Sequence, residues 1–553
     1  MLDESRKYRR TLKQTVDWKL IFCYLALVIF GWLNIYASIH SSDPSSIFDW
    51  ASRSGKQFIW ILTSLGLGGM ILFVFNARLW EVISVPSYVL VFFLLVLVIF
   101  VSDDTKGSHS WFEFGPIKFQ PAEISKITTS LVLAMVMSKP NFKISKIKHF
   151  LMVAAIIALP MLAIIGESET GSALVYTGFI FVLYREGFSG WFIVFIGLII
   201  TLFIVTLTAS PYAALVVLAA IASVCYSLYR GSFRDWFSKD LPFLAFFSLL
   251  PWLWTSLCRL LVPEAFPDLA DAAFLSQLYT AADASNPALA ATGGASAASA
   301  ASAALASGAE APALLPLPNV LEQTEPSFWA FLLKIKPIYF LLACFAVFVP
   351  VQFVRSYKNR ISGLGLAMVT MILGTALTFS TSFIFDSVLQ PHQQKRIEVL
   401  LGITEDLSGV GYNVNQSKIA IGSGGFFGKG FLQGTQTTYG FVPEQSTDFI
   451  FCTVGEEWGF VGCAIVILLY VFLIWRIVDD AEKSRESFTR IYGYCVASCI
   501  FMHLLINIGM TIGLMPVIGI PLPLLSYGGS SLWAFTILIF IFIALNREEK
   551  KYF

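Results

Sequence analysis

Three residues that could do chemistry stand together in the sequence FVPEQSTDFIF, which runs from Phe441 to Phe451. Glu444, Thr447 and Asp448 lie there, between a polar, glycine-rich stretch and a run apolar enough to cross a bilayer. Asp448 could cap the helix that follows, because a carboxylate accepts hydrogen bonds from free backbone N–H groups. It could equally be a general base that takes a proton from a hydroxyl nucleophile. If the helix begins early, Glu444 shares a face with Asp448, and the two like charges raise the pKa of one of them.

Other acids lie inside or beside apolar runs. The sequence GEEWG places Glu456 and Glu457 in the helix that follows Asp448, and GESETGSALVY places Glu167 and Glu169 between two apolar runs. An acid at membrane depth costs free energy unless it faces a cavity or pairs with a base. The glycines around Glu167 and Glu169 predict a broken helix whose exposed N-terminus could receive an anion. The alternative is that these two side chains extend to the outer surface.

A lysine and a glutamate stand at the start of another apolar run, in GPIKFQPAEISKI. Pro121 suits the first turn of a helix and Glu123 suits its positive end, so Lys126 is expected one turn deeper. A buried ammonium needs a counter-charge, and either Glu123 or Glu169 could supply it. We expect Glu169 and Lys126 to form a charge pair that organises the cavity, because an unpaired charge at this depth costs about 2.5–3.5 kcal/mol.

A proline- and glycine-rich segment, MPVIGIPLPLLSYGGSS, covers residues 515–531. It is apolar, but its prolines prevent a continuous helix. It predicts a re-entrant or external loop, which is stable only where it lines a cavity or packs on protein. Ser526 is the candidate polar group of this loop.

The composition indicates the kind of structure that positions these groups. The chain has 553 residues, of which 56% are hydrophobic and 13% charged, and its mean hydropathy is +0.73. A water-soluble protein cannot bury that much apolar surface, so lipid must be the solvent. The net charge of +1 argues against a nucleic-acid partner, because no basic face dominates. The eight cysteines lie mostly within apolar runs, which predicts neither a metal nor a redox site.

Apolar runs of spanning length predict about fourteen membrane helices. We place them near residues 18–38, 57–77, 82–102, 121–138, 148–166, 170–185, 189–209, 212–229, 242–262, 335–354, 362–385, 449–475, 490–513 and 531–546. Lys and Arg recur in alternate loops, which puts both termini in the cytoplasm, since cytoplasmic loops are enriched in these residues. The predicted fold class is therefore an all-α, polytopic transmembrane helix bundle, and residues 1–17 are a cytoplasmic tail rather than a cleaved signal peptide.

Two of the predicted external loops are long. Residues 263–330 include an Ala/Ser/Pro-rich stretch without aromatic residues, which predicts a tether that cannot build a core of its own. Residues 386–448 contain glycines for tight turns and the apolar pieces IAI and FF, which predict amphipathic segments lying against the membrane. The second loop ends at Asp448 and is the candidate catalytic loop.

Four blocks of sequence resemble the SEDS membrane proteins (shape, elongation, division and sporulation). The blocks are FGPIKFQPAEISK, QSKIAIGSGGFFGKGFLQGTQT, FVPEQSTDFIFCTVGEEWGFVG and NIGMTIGLMPVIGIPLPLLSYGGSS. Within them, GKGFLQGTQT is closer to the RodA branch than to the FtsW division branch. The resemblance implies a peptidoglycan glycosyltransferase that polymerises lipid II at the outer face of the cytoplasmic (inner) membrane during elongation. The proposed catalytic aspartate of the family corresponds to Asp448.

The resemblance implies a one-step inverting glycosyl transfer with Asp448 as the general base. The leaving polyprenyl pyrophosphate needs positive charge from Lys429, Lys418, Arg396 or a divalent cation, Mg²⁺ or Mn²⁺. No metal ligand of the protein itself is predicted. The predicted substrate-binding residues are Glu444, Thr447, Lys429, Lys418, Gln416, Arg396, Gln436, Glu169, Lys126, Glu123 and Ser526.

The family has about ten spans, so the surplus helices are expected between about residues 205 and 360. The predicted division is a membrane core at 18–209, inserted helices with the low-complexity loop at 210–360, a core helix at 361–385, the catalytic loop at 386–448 and membrane core at 449–553. Two positions depart from the family pattern: Ser110 stands where Arg is frequent, and Glu169 where Asp is frequent.

The resemblance also implies partners: polyprenyl-pyrophosphate-linked glycan, membrane lipid and a class B penicillin-binding protein, which is a transpeptidase. Three alternatives stay open, namely a flippase or other transporter of a lipid-linked precursor, an FtsW-type division polymerase, and a non-catalytic scaffold. A transporter should concentrate polar groups near the bilayer midplane. Here they concentrate in one external loop, which favours the enzyme.

Overall fold

The computed structural model describes residues 15–40, 46–102, 110–114, 117–209, 213–221, 364–383, 391–401 and 410–552, together with the single positions 385, 387, 389 and 403. Among them, the residues up to Phe195 and from Leu389 onward form one compact unit. The residues from Ile196 to Val388 form a second unit. The candidate site lies in the first unit.

The N-terminal part of the first unit contains long apolar helices and one small hairpin. The elements are α1 Trp18–Ile39, α2 Arg53–Phe73, α3 Ala77–Val101, β1 Phe112–Phe114, β2 Ile117–Phe119 and α4 Pro121–Met137. The two strands are antiparallel and pair Phe112 with Phe119. Apart from this hairpin, which the sequence did not predict, the regular structure of the described residues is helical.

Further helices follow in chain order. They are α5 Ile147–Gly166, α6 Thr170–Val175, a 3₁₀ turn Tyr176–Gly178, α7 Phe179–Arg185, α8 Trp191–Thr208 and, beyond the helical residues 213–221, α9 Leu364–Phe383. The C-terminal part contains α10 Pro391–Leu401, α11 Val410–Ser423, α12 Thr435–Thr438, α13 Ile450–Lys483, α14 Ser487–Thr511 and α15 Gly529–Tyr552.

Seven helices of the described residues are long and apolar enough to cross a membrane, namely α1, α2, α3, α5, α13, α14 and α15. Each begins within a few residues of the predicted start, because the length of an apolar run marks a span. The predicted spans near 242–262 and 335–354, and half of 212–229, lie outside the described residues, so the count of about fourteen stays a prediction. The chain is a helical, multi-pass membrane protein.

Helices α4 and α14 form the centre of the first unit. Nearly every side chain of α4 is buried, and so are most of those of α14. Helix α4 packs on α3 and α14, α14 packs on α13, and α15 packs on α2. Polar residues on α4 and α14, such as Lys126 and His503, are therefore surrounded by protein rather than lipid.

An ion-pair network joins three helix ends. Asp17 caps α1 by accepting the backbone N–H of Lys19 at 3.0 Å, and its carboxylate also binds Arg476 near the end of α13. Arg476 contacts Asp480 at 3.1 Å, and Lys550 in α15 contacts Asp480 at 3.5 Å. The start of α1 and the ends of α13 and α15 therefore meet at one end of the unit. That this end is cytoplasmic stays a prediction.

Candidate functional site

Asp448 lies in the turn immediately before α13. The helix begins at Ile450, and its cap position is occupied by Phe449, which makes no side-chain cap bond. Asp448 is half-buried, and its backbone carbonyl accepts a hydrogen bond from Asn507 Nδ2 at 2.8 Å. It therefore stands one residue outside the position that the capping interpretation requires.

Glu444 contributes its backbone to the same turn. Its φ of 49° is in the left-handed region, and its carbonyl accepts the N–H groups of Thr447 at 3.2 Å and Phe449 at 3.3 Å. The hydroxyl of Thr447 lies 3.3 Å from Glu444 Oε2. The expectation that Glu444 and Asp448 share a helix face is wrong, because the chain turns at Glu444 and becomes helical only at Ile450.

The loop between α14 and α15 packs around this turn. Residues 512–528 are not helical, which confirms the prediction for the proline-rich segment. A Cβ atom built on Gly519 would lie 3.3 Å from Asp448 Oδ2. Ser526 Oγ donates to the carbonyl of Thr447 at 2.5 Å, and the N–H of Tyr527 donates to that of Ser446 at 2.8 Å. The loop thus passes beside the carboxylate of Asp448 at Gly519 and is hydrogen-bonded to the backbone just before Asp448.

The structure brings an arginine to the turn that sequence reasoning missed. Arg53, the first residue of α2, donates from Nη1 to the Ser446 hydroxyl at 2.6 Å. Its guanidinium also lies 5.9 Å from the ring centre of Tyr527. The available signal was weak, since Arg53 is one basic residue before an apolar run. The hydrogen bond therefore holds this cation at Ser446, which lies two residues before Asp448 in the sequence.

Helix α13 is interrupted at Gly459, whose φ of 64° and ψ of −160° are not helical. The glycine-rich turn after α11 forms hydrogen bonds with the backbone groups that this break leaves open. The bonds join Lys429 N to Glu456 O, Gly430 N to Glu457 O, Phe460 N to Gly425 O and Val461 N to Phe426 O, at 2.9–3.1 Å. A broken helix at membrane depth is stable only where its backbone groups find such partners.

Glu456 anchors the next part of the candidate catalytic loop. Its carboxylate is fully buried and pairs with Lys429 Nζ at 2.7 Å. It also accepts the backbone N–H groups of Thr435 at 2.8 Å, Gln436 at 2.9 Å and Thr437 at 2.9 Å. Lys429 and Gln436, predicted as substrate ligands, are therefore parts of the structure that holds α12 against α13.

Lys126 and Glu123 form a buried pair in the centre of the unit. Lys126 Nζ lies 2.7 Å from Glu123 Oε1 and 2.8 Å from His503 Nε2 on α14. The prediction that Lys126 pairs with Glu169 is wrong, because Glu123, three residues earlier on the same helix, already supplies the counter-charge. Glu169 instead accepts a hydrogen bond from Ser110 Oγ at 2.7 Å.

The predicted break between the fifth and sixth helices is confirmed. Helix α5 ends at Gly166, α6 begins at Thr170, and Ser168 between them has a φ of 63°. Glu167 is fully buried here, and neither carboxyl oxygen has a hydrogen-bond partner among the described residues. Burial, and secondarily the charge of Glu169, raises the pKa of Glu167 to about 9. Burial therefore favours the neutral form of Glu167 at pH 7, and the side chain does not extend to the outer surface.

The other predicted ligands lie on α10 and α11. Arg396 is half-buried on α10, burial lowers its pKa, and its Nε has no hydrogen-bond partner among the described residues. Gln416 is partly buried on α11. Lys418 on α11 is exposed, and its Nζ lies 2.6 Å from where a Cβ on Gly513 would be.

No cluster of three or more His, Cys, Asp or Glu side chains that could hold a metal ion occurs in the part of the chain that the structure describes. A requirement for a divalent cation stays a prediction.

Comparison with known proteins places this geometry in a family. The family model for cell cycle proteins of the FtsW, RodA and SpoVE type matches residues 17–228 and 342–551. The peptidoglycan glycosyltransferase RodA of Treponema pallidum (strain Nichols) is 40% identical over 182 residues, which are 33% of this chain and 42% of that protein. The peptidoglycan glycosyltransferase MrdB of Escherichia coli (strain K12) is 43% identical over 164 residues, which are 29% of this chain and 44% of that protein.

The fold has a counterpart among solved structures. A chain from a structure of a peptidoglycan synthase complex, described as coordinating polymerization and crosslinking, aligns with 97% of this chain and 98% of its own length. The TM-score is 0.52 and the sequence identity 18%, a likeness that shows the fold alone. The matched segments span less than half the length of the two relatives in sequence, whereas the family match covers more than half of this chain. The chain belongs to the FtsW, RodA and SpoVE family of cell cycle proteins.

Proposed function

We propose that this protein is a peptidoglycan glycosyltransferase that polymerises lipid II, with Asp448 as its general base. The observation that carries the proposal is the position of Asp448, half-buried between the start of α13 and the loop at 512–528. A carboxylate held there by protein on two sides can take a proton from a bound hydroxyl. The names of the two relatives, both peptidoglycan glycosyltransferases, support the reaction. The proposal of elongation rather than division rests on the RodA-like sequence GKGFLQGTQT.

The proposed reaction is a single displacement. Asp448 takes the proton of the 4-hydroxyl of the lipid II GlcNAc as that oxygen attacks the anomeric carbon of the growing glycan. The new C–O glycosidic bond forms while the C–O bond to pyrophosphate breaks, which inverts the configuration. Polyprenyl pyrophosphate leaves with the electron pair, and Asp448 leaves the step protonated.

The leaving pyrophosphate needs positive charge, and the contacts rank the candidates. Lys429 is already matched by Glu456 at 2.7 Å. Arg396 has a buried Nε without a partner among the described residues, and Arg53 is held at the Asp448 turn by Ser446. We therefore favour Arg53 and Arg396, with Lys418 as an exposed third. A Mg²⁺ or Mn²⁺ ion bound mainly by pyrophosphate needs only one or two protein carboxylates, so it remains part of the proposal.

The flippase alternative is supported by one feature, the buried Glu123, Lys126 and His503 cluster. Ionisable groups inside a membrane protein often mark a transport path. Here, however, Glu123 neutralises Lys126 within one helix. The polar groups at the Asp448 turn fit a reaction at one surface better than transport across the bilayer.

We further propose that the site faces outward from the cytoplasmic membrane and that the protein works with a class B penicillin-binding protein. The related fold comes from a peptidoglycan synthase complex. Helix α3 exposes large apolar side chains, including Phe93 and Phe100, which offer a lateral surface for lipid or for a partner helix. Co-reconstitution with the cognate transpeptidase should stimulate polymerisation, and equal activity with and without it would contradict the partnership.

An assay in proteoliposomes that contain the purified protein and fluorescent lipid II distinguishes a polymerase from a flippase. Polymerisation yields a ladder of glycan products on a gel, whereas transport alone moves lipid II between leaflets without lengthening it. We expect the ladder. Translocation without a ladder would replace this proposal with the flippase. A ladder that appears only when a partner polymerase is added would indicate a scaffold.

A further inference from the structure

Three consecutive carbonyl groups next to the proposed base are bound by donors from distant parts of the chain. The carbonyl of Ser446 accepts from Tyr527 N at 2.8 Å, that of Thr447 from Ser526 Oγ at 2.5 Å, and that of Asp448 from Asn507 Nδ2 at 2.8 Å. These carbonyls precede α13, whose ladder begins with the bond from Cys452 N to Phe449 O. The position of Asp448 is therefore set by α14 and by the loop that follows α14, rather than by its own helix.

Asn507 differs from the other two donors because it makes two bonds from one nitrogen. It is fully buried on α14, and Nδ2 also donates to the carbonyl of Ile520 at 2.7 Å. Ile520 follows Gly519, the residue whose Cβ position lies 3.3 Å from Asp448 Oδ2. Asn507 thus joins the backbone of Asp448 to the loop segment that passes beside the Asp448 carboxylate.

The chemistry of this junction requires a side chain with two N–H donors. The carbonyl oxygens of Asp448 and Ile520 both carry partial negative charge, so without a shared donor they repel each other and lose their buried hydrogen bonds. An amide supplies both hydrogens at the end of a short, rigid side chain. Because most side chains of α14 are buried, packing restricts the movement of the helix and of the Asn507 side chain on it.

We propose that Asn507 is a positioning residue that fixes the direction of the Asp448 carboxylate by tying its turn to the loop at 519–520. Asn507 touches neither substrate nor the reacting atoms in this account. The kinetic part of the test rests on the proposed function, but the junction itself does not.

The kinetic test uses Asn507→Leu, which removes both donors, and Asn507→Asp, which keeps the size and offers at most one. Asn34→Leu is the matched control, because Asn34 is also fully buried and its Nδ2, among the described residues, bonds only Phe30 O in its own helix, at 2.8 Å. We expect both Asn507 variants to lower kcat for lipid II by about ten- to a hundredfold, with KM within about twofold, because a small displacement of a catalytic group costs this much. The control should stay close to the wild type.

A second measurement does not depend on activity. Hydrogen–deuterium exchange reports the N–H groups of Thr447, Phe449, Leu522 and Tyr527, all hydrogen-bonded within the turn and the loop. We expect faster exchange there in both Asn507 variants and no local change in Asn34→Leu. If Asn507→Leu does not yield a monodisperse protein, Asn507→Asp alone decides.

The outcomes separate the two proposals. A lower kcat with faster local exchange supports the positioning role. An unchanged kcat, or a lower kcat with unchanged local exchange, overturns it. If the wild-type protein forms no glycan, the proposed function has failed, and the exchange data alone then establish or refute the junction.

Discussion

At the scale of single residues, the site combines acids whose surroundings differ sharply. Glu456 pairs with Lys429 and accepts hydrogen bonds from backbone N–H groups, whereas Glu167 is buried without a hydrogen-bond partner among the described residues. The sequence shows four acids beside apolar runs but not which of them is paired. The pairing depends on the loop backbone and on neighbouring helices, whose positions a local sequence pattern does not predict.

The neutral state of Glu167 has a consequence for stability. The pKa of its carboxyl is about 9 in the folded protein against 4.5 for the ordinary group, so the folded state binds more protons between these values. Stability from this group is therefore greatest below about pH 4.5 and is lost as the pH rises towards 9. We expect Glu167→Gln, a permanently neutral analogue, to melt progressively higher than the wild type from pH 6 to pH 9. Parallel melting temperatures across this range would contradict the assignment.

The sequence was sufficient to predict that Asp448 lies just before a helix and that the proline-rich segment is a loop, because both mark a change in composition. The catalytic role of Asp448 stays a prediction. Asn507 and His503 were missed because each is a lone polar residue in an apolar helix. Their partners, the carbonyls of Asp448 and Pro521 and the ammonium of Lys126, depend on how α4, α13 and α14 pack. The helix starts followed from apolar run length, whereas the break at Gly459 lies inside an otherwise continuous helical pattern.

At the scale of elements, the break in α13 and the glycine-rich turn form one structure. The turn satisfies the backbone of the broken helix, and Glu456 holds the following segment through Lys429 and α12. The first part of α13 therefore joins the Asp448 turn to the catalytic loop. Changes to this structure should alter activity without touching Asp448.

Two glycines of the turn allow the backbone contact to be tested separately from backbone conformation. Gly425 and Gly428 both have positive φ, at 58° and 82°, so alanine strains either position by about 1–2 kcal/mol. A Cβ on Gly428 would lie 2.1 Å from Glu457 O, whereas one on Gly425 meets nothing within 4 Å. We expect Gly428→Ala to lower the melting temperature and the polymerase rate well beyond Gly425→Ala. Equal effects would show that the turn does not pack against the break as described.

The buried Glu456 carboxylate gives a second prediction at this scale. Glu456→Gln leaves Lys429 unpaired and turns an amide towards backbone N–H groups, so we expect a loss of about 3–5 kcal/mol and faster hydrogen exchange in residues 429–440. The exposed pair of Arg185 and Glu482, at 2.6 Å, is the control. Glu482→Gln should cost at most about 1 kcal/mol. Similar losses for the two variants would argue against the anchoring role of Glu456.

At the scale of the whole molecule, the described spans are organised around two buried central helices. The pair of Glu123 and Lys126 on α4 contacts His503 on α14, so it ties the two helices together at depth. A second set of ion pairs lies where the start of α1 meets the ends of α13 and α15. Through α13, these pairs join the first and last described spans. These contacts explain how helices distant in sequence hold the Asp448 turn and its neighbouring loops in place.

A double-mutant cycle on melting temperature tests the central pair. Lys126→Met leaves Glu123 uncompensated and should cost about 3–5 kcal/mol, and Glu123→Gln in the same background should recover part of it. We expect a coupling of about 0.5–3 kcal/mol between Glu123 and Lys126. The cycle of Lys126 with Glu169, which binds Ser110 instead, should be close to additive. The reverse pattern would restore the pair expected from the sequence.

The measurement that most directly tests the central claim is the polymerisation rate of Asp448→Asn with lipid II in nanodiscs. Asparagine keeps the size of the side chain but cannot accept a proton at neutral pH, so we expect kcat to fall by about 10²- to 10⁴-fold while the melting temperature is unchanged. Asp49→Asn is the control and should retain wild-type activity, because Asp49 lies before α2 and its carboxylate accepts the N–H of Ala51 at 3.1 Å. Polymerisation by a well-folded Asp448→Asn protein at close to the wild-type rate would contradict the account.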